Sequence, residues 1–288
     1  MPRLSLGARY MILAAALFSG MQVCVKALPR IPAHEIVLFR GLVSVSLCWT
    51  LLRARRMSPW GKHKWGLVAR GITGSIALLL FFYTIHRIPL ATASTIQQLA
   101  PIFTLTLAGV FFGEKVKPAQ VLWFAVAFGG VAMAQGLDPR VPLGDAGIGM
   151  LSAFFSGLAY NLVRRLRHTD PVLVVVFYLP LMTVPLAGAV CLALGWVTPR
   201  GGEWAWLIAV GVITQLAQMA MTHAYHLEEA GRVSQYSYLA PILSGAWGWF
   251  FFSEGLRPGV AAGMGLALFG MWGAASLSRP ALRSSPTQ

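Results

Sequence analysis

The stretch ATASTIQQLAPIFTLTLAGVFFGEKVKP, residues 91–118, returns near the other end of the chain as RVSQYSYLAPILSGAWGWFFFSEGLRP, residues 232–258. When residues 99–118 are laid over residues 239–258 without a gap, eight of twenty positions are identical: Leu99/Leu239, Ala100/Ala240, Pro101/Pro241, Ile102/Ile242, Phe111/Phe251, Phe112/Phe252, Glu114/Glu254 and Pro118/Pro258. Each copy reads as an apolar helix with a proline in its first half. It closes on Phe-Phe-small-Glu, and its final proline allows a new helix to begin. The similarity reaches the start of each half, where Phe18-Ser19-Gly20 is answered by Phe155-Ser156-Gly157 at an offset of 137 instead of 140. Residues 1–137 and 145–276 therefore read as two homologous units joined by a Pro- and Gly-containing linker, with residues 277–288 as a disordered tail.

The chain has 288 residues, 57% hydrophobic and only 11% charged. Soluble domains carry about 25% charged residues. The apolar residues gather into stretches long enough to cross a hydrocarbon core of about 30 Å as helix. The fold class predicted is an all-α integral membrane protein of about ten transmembrane helices. The spans fall near 9–28, 33–52, 66–86, 91–112, 118–136, 146–164, 172–197, 204–226, 233–252 and 259–276. A net charge of +14 is spread in short clusters between spans, which points to membrane topology and away from nucleic acid. Cys24, Cys48 and Cys191 lie inside apolar spans and read as small buried hydrophobes.

With the N-terminus cytoplasmic, fifteen Lys and Arg fall in cytoplasmic segments and five in the opposite loops. That bias places both termini in the cytoplasm of a cell inner membrane. An odd number of helices per unit makes the second unit enter from the opposite side, so the units are inverted five-helix repeats. Such repeats place a binding site near the midplane and permit two mirror-related access states.

Two five-helix halves, each closing its fourth helix with Ala-Pro, Phe-Phe-small-Glu and Pro, resemble the EamA-type branch of the drug/metabolite transporter superfamily. The resemblance implies a carrier of small organic solutes with a cavity lined mainly by helices one, three, four, six, eight and nine. Tyr83-Thr84-Ile85-His86-Arg87-Ile88-Pro89-Leu90-Ala91, leading into Gln97-Gln98-Leu99-Ala100-Pro101, resembles members described as S-adenosylmethionine carriers. The implied solute is an amino acid or amino-acid derivative. Absence of a carboxylate in the first helix departs from the small four-helix multidrug relatives and speaks against proton-coupled export of cations.

Polar residues inside spans either line a path or join helices. The candidates for solute binding are Gln22 on helix one, Arg40 on helix two, Tyr83 on helix three, and Gln97 and Gln98 on helix four. From the second half come Tyr160, Asn161, Gln215, Gln218, Tyr236, Tyr238 and Trp247. Lys26 and Gln235 share the same setting. Pro101 and Pro241 each leave a backbone carbonyl unpaired one turn earlier, beside these polar clusters. Arg40 reads as the only arginine well inside a span, and its charge asks for a carbonyl, water, an outward-reaching side chain or a carboxylate on the solute. Glu114 and Glu254 read as capping or gating groups, and the small-residue spacings Gly259/Gly263 and Gly130/Ala134 as packing faces. No cofactor, metal or catalytic constellation is expected, since His223 and His226 lack acidic or Cys partners at ligand spacing. The expected partners are a small-molecule solute and the lipid bilayer, with the chain a monomer or homodimer. An exporter of drug-like or amphipathic metabolites, or a structural or lipid-binding membrane protein, is the alternative.

Overall fold

In an apolar surrounding each backbone N–H and C=O must be paired within its own segment, which favours helix throughout a chain of this composition. The structure, a computed structural model, describes residues 4–112, 118–136, 138, 140–228, 233–255 and 257–277, and all its regular elements there are helical. The first half holds α1 (Leu6–Lys26), α2 (Ala33–Ala54), α3 (Lys64–Arg87), α4 (Leu90–Gln97), α5 (Ala100–Phe112) and α6 (Pro118–Gly136). The second holds α7 (Leu143–Leu166), α8 (Val172–Leu194), α9 (Glu203–Leu227), a 3-10 turn (Ser234–Tyr238), α10 (Leu239–Phe252) and α11 (Pro258–Leu277). Six of them, α1, α2, α3, α7, α8 and α9, are long and apolar enough to cross a membrane. Glu114 and the tail from 278 to 288 lie outside the described residues.

The expected continuous helix over 91–112 is broken: α4 stops at Gln97 and α5 begins at Ala100. Pro101 has no N–H to give the Gln97 carbonyl, so the ladder cannot run through. The amide of Gln98 instead bonds the carbonyls of Ser94 and Thr95. Pro241 has the same effect in the second half, where the 3-10 turn precedes α10. One proline, used twice, produces two matching discontinuities.

The helices pair across the halves, and four of these pairs, α2/α8, α3/α7, α1/α9 and α6/α11, run antiparallel. Along α2 and α8, His34 meets Gly195, Gly41 meets Val184, and Trp49 meets Phe177. Along α3 and α7, Gly66 faces Leu166, Ala77 accepts from Ser152, and Tyr83 reaches Asp145. Along α1 and α9, Gly7 meets Glu228 and Tyr10 stacks on His223 with centroids 5.5 Å apart. Because α1 pairs with α9 while α3 pairs with α7, the first and third helices of each half embrace the third and first of the other. The strictest match is between α6 and α11. A Cβ on Gly130 would lie 2.3 Å from the Ala267 nitrogen, and one on Gly270 would lie 2.4 Å from the Ala127 nitrogen. Both residues of each contact are related by the same shift of 140. Only glycine lets these two backbones approach so closely.

Candidate functional site

The two discontinuities meet. Gln98 Nε2 donates to the Ser237 carbonyl at 2.6 Å, and Ser237 Oγ donates back to Gln98 Oε1 at 3.0 Å. Ser237 lies four residues before Pro241, so its carbonyl lacks the N–H that a continuing α-helix would supply from that position. A side-chain amide from the first half thus caps the broken helix of the second. Gln97 makes a second tie, donating to Ser156 Oγ at 2.8 Å and accepting from Ser152 Oγ at 3.1 Å. Gln98→Leu removes both hydrogen bonds that this amide makes with Ser237, at a cost of about 0.5–1.5 kcal/mol each. The expected result is a lower Tm in detergent, and an unchanged Tm would remove the cap from the account.

Beside these ties lies a cavity with about 960 Å³ of atom-free space, part of it continuous with the outside. Its polar wall is Gln22, Arg70, Gln97, Gln98, Tyr160 and Gln218. Its apolar wall includes Met11, Phe18, Met21, Phe81 and Met221. The elements contributing are α1, α3, α4, α5, α7, α9, the 3-10 turn and α10, with Leu179 added from α8. That mixture suits a small organic molecule held by a few directed polar groups.

The cavity is displaced towards the end of the bundle at which α1 and α3 begin and α7 and α9 finish. Its walls run from Met11 on α1, from Arg70 on α3, and to Tyr160 and Tyr225 on α7 and α9. The other end is filled. Leu28, Ile31, Ile88 and Leu90 are buried in the core there. Lys26 forms an ion pair with Glu254 and donates to the Ile88 carbonyl at 3.1 Å. The second Glu254 oxygen accepts from the Leu90 amide, at the start of α4, at 2.9 Å. Nearby, Arg140 grips Asp138 at 2.8 Å and holds its carboxyl below the usual carboxylate range.

Five sequence candidates line the cavity: Gln22, Gln97, Gln98, Tyr160 and Gln218. The other seven do not. Arg40 is 1% exposed on α2, away from the wall. Tyr83 is exposed and bonds Asp145 at 3.3 Å. Asn161 joins α7 to α5 by donating to the Thr104 carbonyl at 2.9 Å, and Gln215 joins α9 to α2 by donating to Cys48 Sγ at 2.9 Å. Tyr236 packs against the apolar cluster that contains Met11 and Val233, Tyr238 donates to the Met271 carbonyl at 3.0 Å, and Trp247 donates to Ser19 Oγ at 3.3 Å. The side chain of Gln235 lies outside the described residues.

Arg40 is not the only arginine deep in a helix. Arg70, six residues into α3, is 2% exposed and forms part of the cavity wall. Ser94, Ser156, Met221 and Tyr225 line it as well and were not among the sequence candidates. The local signal for Arg70 is an arginine early in an apolar span with glycine four residues on. Serines and methionines carry no such signal, since the same residues pack helices elsewhere in the chain.

The EamA-like transporter family model matches residues 5–135 and 145–276. Similar proteins include the pseudopaline exporter CntI of Pseudomonas aeruginosa, 32% identical over 84% of this chain and 86% of its own length. A riboflavin transporter of Rhizobium johnstonii is 26% identical over 92% of this chain and 89% of its own. Human solute carrier family 35 member G1 is 26% identical over 80% and 67%. A solved crystal structure superposes with TM-score 0.72 at 18% identity, covering 95% of this chain and 97% of that one.

Proposed function

Because this chain belongs to the EamA-like transporter family, we propose that it moves a small polar organic solute across a bilayer by alternating access through the cavity between its halves. In this reading units 1–137 and 145–276 each cross the membrane five times in opposite senses, with both termini cytoplasmic and residues 277–288 a cytoplasmic tail. Most of the support comes from one observation: a cavity with a mixed polar and apolar wall, drawn from both halves where their proline-broken helices meet. Broken helices at the interface of opposed repeats are where solute sites of such carriers are built. The binding residues are Gln22, Gln97, Gln98, Tyr160 and Gln218, to which Arg70 is added.

Under the charge-derived orientation the cavity end is cytoplasmic and the Lys26–Glu254 end external, which makes this conformation one of the two access states. Relatives named for exporting pseudopaline and transporting riboflavin support whole organic molecules as cargo. An amino acid or amino-acid derivative, S-adenosylmethionine among them, remains the solute class we assign. The test is counterflow of radiolabelled S-adenosylmethionine and a panel of amino acids in proteoliposomes, with Ala159→Trp as the control that fills the cavity. Saturable flux abolished by Ala159→Trp is expected. Flux absent for the whole panel, or untouched by the tryptophan, overturns the reading.

A further inference from the structure

The cavity wall carries one charged side chain, Arg70, and no Asp or Glu among its described residues. No hydrogen bond or ion pair to the Arg70 guanidinium is formed by any described residue, and its Nε is a buried donor without an acceptor. Arg40, itself buried with Nε and Nη1 unsatisfied, is a second cation that acts electrostatically with it. A second buried cation without a carboxylate does nothing to offset the first. An arginine held this deep in an apolar bundle is expensive, and such groups mark solute pathways when they face a cavity.

The side chain is also held in place for the task. A Cβ on Gly74, one turn along α3, would lie 2.2 Å from Arg70 Nη1. The guanidinium therefore lies over the bare backbone of Gly74, in the space any other residue would fill. Arg70 is laid along its own helix towards the middle of the cavity instead of reaching back to the end where α3 starts. Phe18, Phe81, Met21 and Leu179 provide an apolar wall. Tyr160 and Tyr225, with ring centroids 5.8 Å apart, add aromatic surface.

We propose that Arg70, positioned by Gly74, is the subsite for an oxyanion, a carboxylate or phosphate monoester, borne by a solute whose body is apolar or aromatic. This rests on the transport reading and narrows it within amino-acid derivatives, because a site with one unopposed positive charge favours a net-negative solute over a zwitterionic amino acid or the cationic S-adenosylmethionine. The planar guanidinium can engage two oxygens of such a group at once, which a lysine cannot. Gln97, Gln98 and Gln22 then recognise the uncharged polar parts of the same molecule.

The test uses full-length protein in detergent and two probe pairs: hippurate against hippuramide, and phenyl phosphate against phenol. Thermal stabilisation and competition binding are read for each. Wild type should bind at least one anion about thirtyfold or more tightly than its neutral partner, as expected for a desolvated charge-assisted pair. Arg70→Gln should erase that preference, Arg70→Lys should restore part of it, and Gly74→Ala, with the arginine still present, should weaken it about tenfold by displacing the guanidinium. Which pair responds tells carboxylate from phosphate. No anion preference in wild type, or a preference that survives Arg70→Gln, overturns the assignment. Circular dichroism and elution volume identify variants that fail by misfolding, and for those the wild-type comparison decides. Saturable proteoliposome flux of neutral or zwitterionic solutes without any anion preference leaves the transport reading standing and removes only the subsite, whereas loss of all flux removes both.

Discussion

Gly130→Val and Gly270→Val should each prevent recovery of folded protein, and to the same degree. A Cβ at either position would fall 2.3–2.4 Å from a backbone nitrogen of the facing helix. No side-chain rotamer can relieve contact with backbone, so α6 and α11 must separate. Overpacking a core typically costs about 1–3 kcal/mol. Forcing two helices apart along their whole contact adds lost packing to that, against a total stability of about 5–15 kcal/mol. Size-exclusion profiles in detergent and Tm check this, with Gly129→Val as the control, since a Cβ there meets nothing within 4 Å. Monodisperse Gly130→Val or Gly270→Val with the wild-type Tm would show that the helices do not touch so closely. Unequal losses would show that the two contacts are not equivalent.

Glu254→Gln should release the closed end. The side chains of Lys26 and Glu254 are 19% and 14% exposed, so their attraction is screened far less than that of a surface pair. Glu254 also caps the Leu90 amide at the start of α4. Removing one partner leaves the half-buried Lys26 without a counter-charge, a loss of about 2 kcal/mol, the low end for buried pairs. If that loss falls on the closed state alone, the equilibrium between access states moves by a factor of about 30. The readout is a cysteine at Leu78, in a background with Cys24, Cys48 and Cys191 replaced by alanine, labelled by an impermeant maleimide added outside. Labelling should accelerate in Glu254→Gln, and Lys26→Met should act in the same direction. Unchanged labelling would mean the pair caps α4 without closing anything, and faster labelling only from the cytoplasmic side would reverse the orientation.

The helices were legible because the apolar stretches and their prolines act locally: Pro118 and Pro258 start helices wherever they stand. The break at Gln98 was half visible. Pro101 announces an unpaired carbonyl, yet whether the helix bends or stops depends on what is available to satisfy the loose groups, and Ser237 is 139 residues away. The site was legible in type and not in place. Gln98 and Gln215 are equally polar and equally deep, but one meets the cavity and the other meets Cys48, a difference decided by which face each helix turns to its neighbours. Uniformly apolar helices carry little facial information, because lipid and protein core select the same residues. Arg40 drew attention through its depth, while Arg70 owes its place to a glycine one turn away that leaves room for it.

The embrace of α1 by α9 and of α3 by α7 bears on how the chain is made. α1 ends at Lys26, whereas α9 is complete only at Leu227, about 200 residues later. At synthesis rates of about 5–20 residues per second, the first helix waits about 10–40 seconds for its partner. Throughout that interval the Gly, Ser and Ala faces of the first half lie against lipid or against the insertion machinery. The first half is thus a template held open during translation, and its packing is decided at the end of synthesis, when the second half arrives.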